Sequence, residues 1–168
     1  MSNFNIVGID PGTKTIGVGV LHITDERIST YKSYTIDVSK TYYPYQSSNP
    51  FLALQNTLVE ILDLYQPYVI GVESPFFYAS RPTAIIPLAK ANGAIEVAIH
   101  IHGYTETVYK LAPRAIKKFH NVQDHSDKES TRSALKSFEP FQLLGDISEH
   151  EVDALCVANY LYKKIYPQ

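Results

Sequence analysis

At 168 residues the chain has the length of one domain and enough material to bury a core; 45% hydrophobic, 19% charged and 12% aromatic residues exclude a disordered tail or a fibre and point to a single globular domain over residues 1–168. The formal charge of −2 gives no overall sign of nucleic-acid binding, yet residues 110–136 carry seven basic side chains against three acidic ones, +4 locally and −6 for the remainder, which suits either a phosphate-facing surface beside an acidic pocket or ordinary solvated helix faces. The lone Cys156 excludes an intramolecular disulfide and reads as a buried reduced thiol; a polar start, and Lys90, Asn92 and Glu96 interrupting the longest apolar stretch, exclude a signal peptide and a membrane span, so the expected location is the cytosol, that of a host if the source is viral.

Residues 4–10 are apolar and partly β-branched, Pro11-Gly12 punctuates them, and Ile16, Val18 and Val20 then alternate with glycines, which predicts a hairpin. A third β-rich run at 27–37 completes an antiparallel meander. Residues 41–51 are crowded with Tyr, Pro, Ser and Asn and form a loop whose tyrosines serve either surface packing or ligand contact. Leu52, Leu54, Leu58, Ile61, Leu62 and Tyr65 recur at helical spacing and lead into a strand at 68–73. Ser80 is placed to cap a helix with Pro82 in its first turn and an apolar stripe of Ile86, Ala89, Gly93, Val97 and Ile101, which Pro87 should bend or delay. A fifth strand is expected at 104–111, a short helix from Pro113, and another from Asp127 to about Phe138. Ser148 followed by Glu151 fits a capping box, and Val152, Leu155, Cys156, Ala158 and Leu161 supply the body of a last helix. The order predicts a mixed α/β fold with crossover connections.

Three acids sit in awkward places. Asp10 and Glu73 each end an apolar strand, and Asp153 lies about one turn inside the last helix among small and apolar neighbours. Singly, a turn residue, a strand end and a helix-dipole partner explain them. If the strands of Asp10 and Glu73 are parallel neighbours, their carboxylates emerge together at one sheet end, and the last helix can bring the third. Carboxylates about 4 Å apart repel by roughly 4 kcal/mol at an effective dielectric near 20, so such a cluster calls for a proton or a cation. Hard divalent ions take oxygen ligands, magnesium being the natural choice, and a pair of them can hold both the attacking and the leaving oxygen of a phosphoryl displacement.

The stretch Gly8-Ile9-Asp10-Pro11-Gly12-Thr13-Lys14-Thr15-Ile16-Gly17-Val18-Gly19-Val20 resembles the opening strand and hairpin of the RuvC-type Holliday junction resolvases of the RNase H-like superfamily. Val72-Glu73-Ser74-Pro75-Phe76-Phe77 resembles that family's second acidic strand end, and His150-Glu151-Val152-Asp153-Ala154-Leu155 its closing helix. Ala89-Lys90-Ala91-Asn92-Gly93-Ala94 is similar to the small-residue helix between them, and Leu111 to Lys118 to the basic segment that follows. The resemblance spans almost the whole chain. It implies an RNase H-like mixed five-stranded sheet flanked by helices, a homodimer making paired nicks in four-way junctions or related branched DNA during recombination and repair, and catalysis by two Mg2+ ions per site, with Mn2+ able to substitute.

Carried over residue by residue, the resemblance makes Asp10, Glu73 and Asp153 metal-binding carboxylates. It places His150 where members carry an aspartate or a histidine, a metal or water ligand unless it is simply a solvated first-turn residue. Lys117 and Lys128 match lysines near the scissile phosphate, with Lys118 beside them on the same basic segment; generic basic helix faces are the plainer reading. Phe76 matches an aromatic that enters the junction centre, or else belongs to the core as half of a Phe-Phe pair. Residues 121–126 depart from the family, which usually has glycines there. His100 and His102, two apart on a helix, face different sides and suit no metal. Two other nucleic-acid readings are a YqgF-like RNA-processing nuclease, whose opening motif is similar but whose later motifs match less well, and a junction-binding protein without catalysis. A sugar-kinase or actin-like ATPase shares the Asp-x-Gly-Thr turn but needs a duplicated domain that 168 residues hardly contain.

Overall fold

The computed structural model describes residues 3–38, 49–74, 85–101, 103–104, 107–123 and 128–167. Strands β1 (Asn3–Asp10), β2 (Thr15–Thr24) and β3 (Arg27–Asp37) form the expected antiparallel meander. Helix α1 (Pro50–Tyr65) starts where Asn49 accepts a hydrogen bond from the Phe51 amide at 3.0 Å, with Pro50 in the first turn, where no N–H is needed. It returns the chain so that β4 (Val69–Glu73) lies parallel to β1, and α2 (Ile85–Ile101) does the same for β5 (Val108–Leu111) beside β4. The sheet order is β3-β2-β1-β4-β5. Helices α3 (Pro113–Phe119) and α4 (Lys128–Lys136), a 3-10 turn at Phe141–Leu143 and α5 (Glu149–Ile165) complete the chain. A mixed five-stranded sheet flanked by helices is thus the observed architecture. The fifth strand is shorter than expected, because Thr107 donates its amide to the Tyr104 carbonyl in a turn at 3.1 Å.

Period-two alternation splits the core between the two sheet faces. Val7, Ile9, Ile16, Val18, Val20, Ile70 and Val72 meet α1 and α2 on one side. Ile6, Leu21, Ile23 and Val69 meet α5, Ile116 of α3, Leu135 of α4 and Phe141 on the other. Cys156 is buried there as a free thiol.

Helix α2 corrects the sequence expectation. Its buried face is Ala91, Asn92, Ile95, Ala98 and Ile99, whereas Ile86, Val97 and Ile101 of the expected stripe are 66%, 48% and 60% exposed. Apolar residues occur on every side of the helix, with Lys90, Glu96 and His100 scattered among the exposed ones, so periodicity alone does not choose the face that meets the core. Ser80 and Pro82 lie outside the described residues; Pro87 falls in the first turn of α2, where its missing N–H costs little.

The seat of α5 on the sheet is set by missing side chains. On the face toward α5, β1 offers Gly8 and β2 offers Gly17 and Gly19. A Cβ on Gly17 would lie 1.8 Å from the His150 carbonyl oxygen, one on Gly8 2.4 Å from the Ala154 oxygen, and one on Gly19 2.8 Å from the Ala154 carbonyl carbon. Helix backbone therefore rests directly on strand backbone. The capping box of Ser148 and Glu151 fixes where the helix begins.

Candidate active site

Asp10 closes β1 and Glu73 closes the parallel neighbour β4; the pairing Ile9 with Val72 sets the two carboxylates side by side, on the sheet face covered by α5. Asp10 pairs across with Gly17, and the space above that glycine is filled by the backbone of His150. The same contact that seats α5 thus carries His150 and, one turn on, Asp153 over the ends of β1 and β4. Protonated Nδ1 of His150 donates to Oδ2 of Asp10 at 2.8 Å. The four side chains that the sequence singled out come from three elements to one corner.

Burial pushes the Glu73 carboxyl up to about 8, with the charges of Asp10 and Asp153 adding to it and Lys117 opposing. Burial, then Asp10, pushes Asp153 up to about 7, against the charges of His150 and Lys117. The hydrogen bond to Asp10 holds the proton of His150 above the usual imidazole range. Among the described residues no group of three or more His, Cys, Asp or Glu side chains stands close enough together to hold a metal ion as it is. The set nevertheless fits a hard divalent cation: all three acids are oxygen donors, and their mutual repulsion is what a cation relieves.

This arrangement predicts the pH dependence of stability. Without a cation the native chain keeps protons on Glu73 and Asp153 that the unfolded chain loses near their ordinary values of 4.5 and 3.8. The unfolded state then binds fewer protons, so stability falls as pH rises through this window and levels off above about 8. Melting followed from pH 5 to pH 8.5 should show Tm dropping in chelator. Magnesium should restore several degrees at pH 8 and little at pH 5, at roughly 2–4 °C per kcal/mol for a chain of this size. A Tm that rises with pH in chelator would contradict the clustered acids.

A cleft of about 250 Å³ opens from Asp153 toward the basic segment, lined by Lys117, Lys128, Glu129, Thr131, Arg132, Glu149, Val152 and Asp153. Lys117 stands at its acidic end, as its effect on both Glu73 and Asp153 requires. Lys118 is exposed on α3 and does not line it. Lys128 lines it but is ion-paired with Glu149, a partner that sequence reading missed because 21 residues separate them. Arg132 proves structural as well as basic: its guanidinium donates to the carbonyls of Gly145 and Ile147 and ties α4 to the segment before α5. Phe76, His102, residues 124–126 of the divergent loop and Asp127, the expected start of the next helix, lie outside the described residues, as do residues 41–48 of the Tyr-rich loop. His100 is exposed on α2, away from the acids.

Residues 6–159 match the family model described as crossover junction endodeoxyribonuclease RuvC. The chain is 31% identical over 133 residues to the protein of that name from Dehalococcoides mccartyi, covering 78% of this chain and 76% of that one. It is 29% identical over 167 residues to its namesake from Hydrogenovibrio crunogenus, covering 97% and 92%. The fold superimposes on that of Thermus thermophilus RuvC, solved in complex with Holliday junction substrate, with a TM-score of 0.71 at 22% identity, over 96% of this chain and 95% of that one.

Proposed function

The chain belongs to the crossover junction endodeoxyribonuclease RuvC family, and from that premise we propose that it hydrolyses phosphodiesters at four-way junctions, or at closely related branched DNA, in recombination and repair. The observation that carries this reading is the convergence of Asp10, Glu73 and Asp153 from β1, β4 and α5 on one sheet end, beside a cleft to which Lys117, Lys128 and Arg132 contribute. Asp10, Glu73 and Asp153 hold the metal, with His150 completing the set; the ion is magnesium, two per site, and manganese can replace it. Bound there, such ions polarise the phosphodiester and lower the pKa of water. The chain's own residues do the rest. His150 donates from Nδ1 to Asp10, which orients that carboxylate and keeps a proton beside the metal-binding acids. Lys117 presents its ammonium to the phosphate being cut, and Lys118 and Lys128 guide the strand toward it. Phe76 completes the junction contacts as an aromatic wedge. Among the described residues no helix is long and apolar enough to cross a membrane, and the cytosol is the compartment proposed.

Paired nicks require two sites, and α2 supports a homodimer. Among the described residues its outward stripe leaves Ile86, Ala89, Val97 and Ile101 exposed, and a Cβ on Gly93 would meet nothing within 4 Å. Beside it runs a groove lined by Phe51, Leu52, Gln55, Lys90 and Ala94. A small-residue stripe with flanking apolar side chains lets two copies of α2 cross about a two-fold axis. Sedimentation of the wild type should give a dimer at micromolar concentration, and Val97→Asp should give a folded monomer; a monomeric wild type would remove the paired-site reading.

The test of the function is magnesium-dependent cutting of a labelled four-way junction beside a fork, a linear duplex and an RNA–DNA hybrid. Symmetric nicks confined to the junction are expected, and preferential cutting of RNA would overturn the reading in favour of an RNA-processing nuclease.

A further inference from the structure

The first residue of α4, Lys128, and the first of α5, Glu149, form an ion pair across the cleft that leads to Lys117 and Asp153. The pair lies at the surface, its two side chains 74% and 48% exposed, on helix starts that are tied to one another. Arg132 bonds α4 to the carbonyls of Gly145 and Ile147, so the starts of the two helices are held in fixed relation. Lys128 also stands at a helix N-terminus, where the macrodipole disfavours a cation, and it is the carboxylate of Glu149 that offsets this. Glu149 takes no part in the capping box, which uses Ser148 and Glu151. Its own position at the start of α5 is favourable to an anion.

A carboxylate and a phosphodiester present the same kind of anionic oxygen pair to an ammonium group. While the carboxylate holds the ammonium and offsets its charge, a phosphate has to compete with it for Lys128. We propose that Glu149 is an internal competitor for Lys128, a residue that sets how tightly the free chain takes up a DNA strand. The incoming phosphate replaces the carboxylate on the Lys128 ammonium, and the Glu149 side chain turns out to solvent; no covalent step is involved. The inference rests on the nuclease reading above, because that reading brings the strand to this cleft.

Binding of the full chain to a labelled four-way junction is measured in chelator, where cutting is stopped, across a salt series for wild type, Glu149→Gln, Lys128→Gln and the double variant. Glu149→Gln should bind roughly two- to five-fold tighter, the scale of one exposed ion pair. Lys128→Gln should bind more weakly and lose about 0.9 from the slope of log K against log salt, the mark of one phosphate contact. In the Lys128→Gln background, Glu149→Gln should change nothing. Tightening that persists without Lys128 is ordinary charge removal and overturns the proposal, as does an absence of tightening. Failure of all four proteins to bind the junction overturns the nuclease reading, and this inference with it. Matching melting temperatures establish that each variant is folded; if Lys128→Gln is not, Lys128→Met provides the same cycle.

Discussion

Replacing Asp10 by asparagine is expected to reduce junction cutting by at least about a thousand-fold, equivalent to ~4 kcal/mol of barrier, while junction binding changes by no more than a few-fold. The substitution keeps the shape of the side chain and leaves an amide oxygen to accept from His150, which bonds Asp10 at 2.8 Å in the wild type. What it removes is charge and one anionic oxygen donor. Asp10 is the acid whose field bears on both of the others, contributing to the raised carboxyls of Glu73 and Asp153. Without it those two groups repel less, so the variant should melt no lower than wild type in chelator at pH 8, and lose most of the stabilisation by magnesium. The lysines of α3 and the exposed basic residues are untouched, and the binding surface remains. Single-turnover cutting, gel shift in chelator and Tm with and without magnesium separate these effects. Cutting within ten-fold of wild type would exclude Asp10 from the metal site, and lost binding would place it in the DNA interface instead.

Gly17→Ala should be the most damaging single methyl group in the chain. The added Cβ would stand 1.8 Å from the carbonyl oxygen of His150, and both sides of the collision are backbone, so no rotamer change relieves it. Helix α5 must lift from β2, which opens the core of Leu155, Cys156 and Ala158 and pulls Asp153 away from Asp10. A cost above ~4 kcal/mol is expected, a fall in Tm of about 10 °C or more, with cutting lost as well. Gly145→Ala is the matched control: a Cβ there meets nothing within 4 Å, and the change should stay within about 0.5 kcal/mol. A Gly17→Ala protein that melts like the wild type would mean that α5 does not rest on β2 at backbone contact.

The strands, the crossover helix and the start of α5 were legible because each leaves a local signature: alternation in β2, a recurrent apolar spacing in α1, Ser148 with Glu151 for the cap. The acids were legible for a different reason, since a carboxylate at the end of an apolar strand invites an explanation. Two things were hidden. The glycines of β2 read only as the positions alternating with Ile16, Val18 and Val20, because a missing side chain says nothing until its partner is known, and that partner lies more than 130 residues away for Gly17 and His150. The face of α2 was assigned wrongly because apolar residues occur on every side of the helix, so the core face and the outward stripe of Ile86, Val97 and Ile101 cannot be told apart by spacing. The tie of Arg132 to Gly145 and Ile147 and the pairing of Lys128 with Glu149 are likewise properties of two segments meeting, not of either one.

Cys156 sits one turn beyond Asp153 with its thiol sealed against the sheet. Burial raises its pKa well above the ordinary thiol range, and the neighbouring acids, Asp153, Glu73 and Asp10, push in the same direction. The thiolate is therefore scarce as long as the helix stays seated, and the sulfur is inert to electrophiles and oxidants. Once α5 detaches, the same atom becomes an ordinary reactive cysteine, and as the chain holds no other, its chemistry keeps time with that one opening motion.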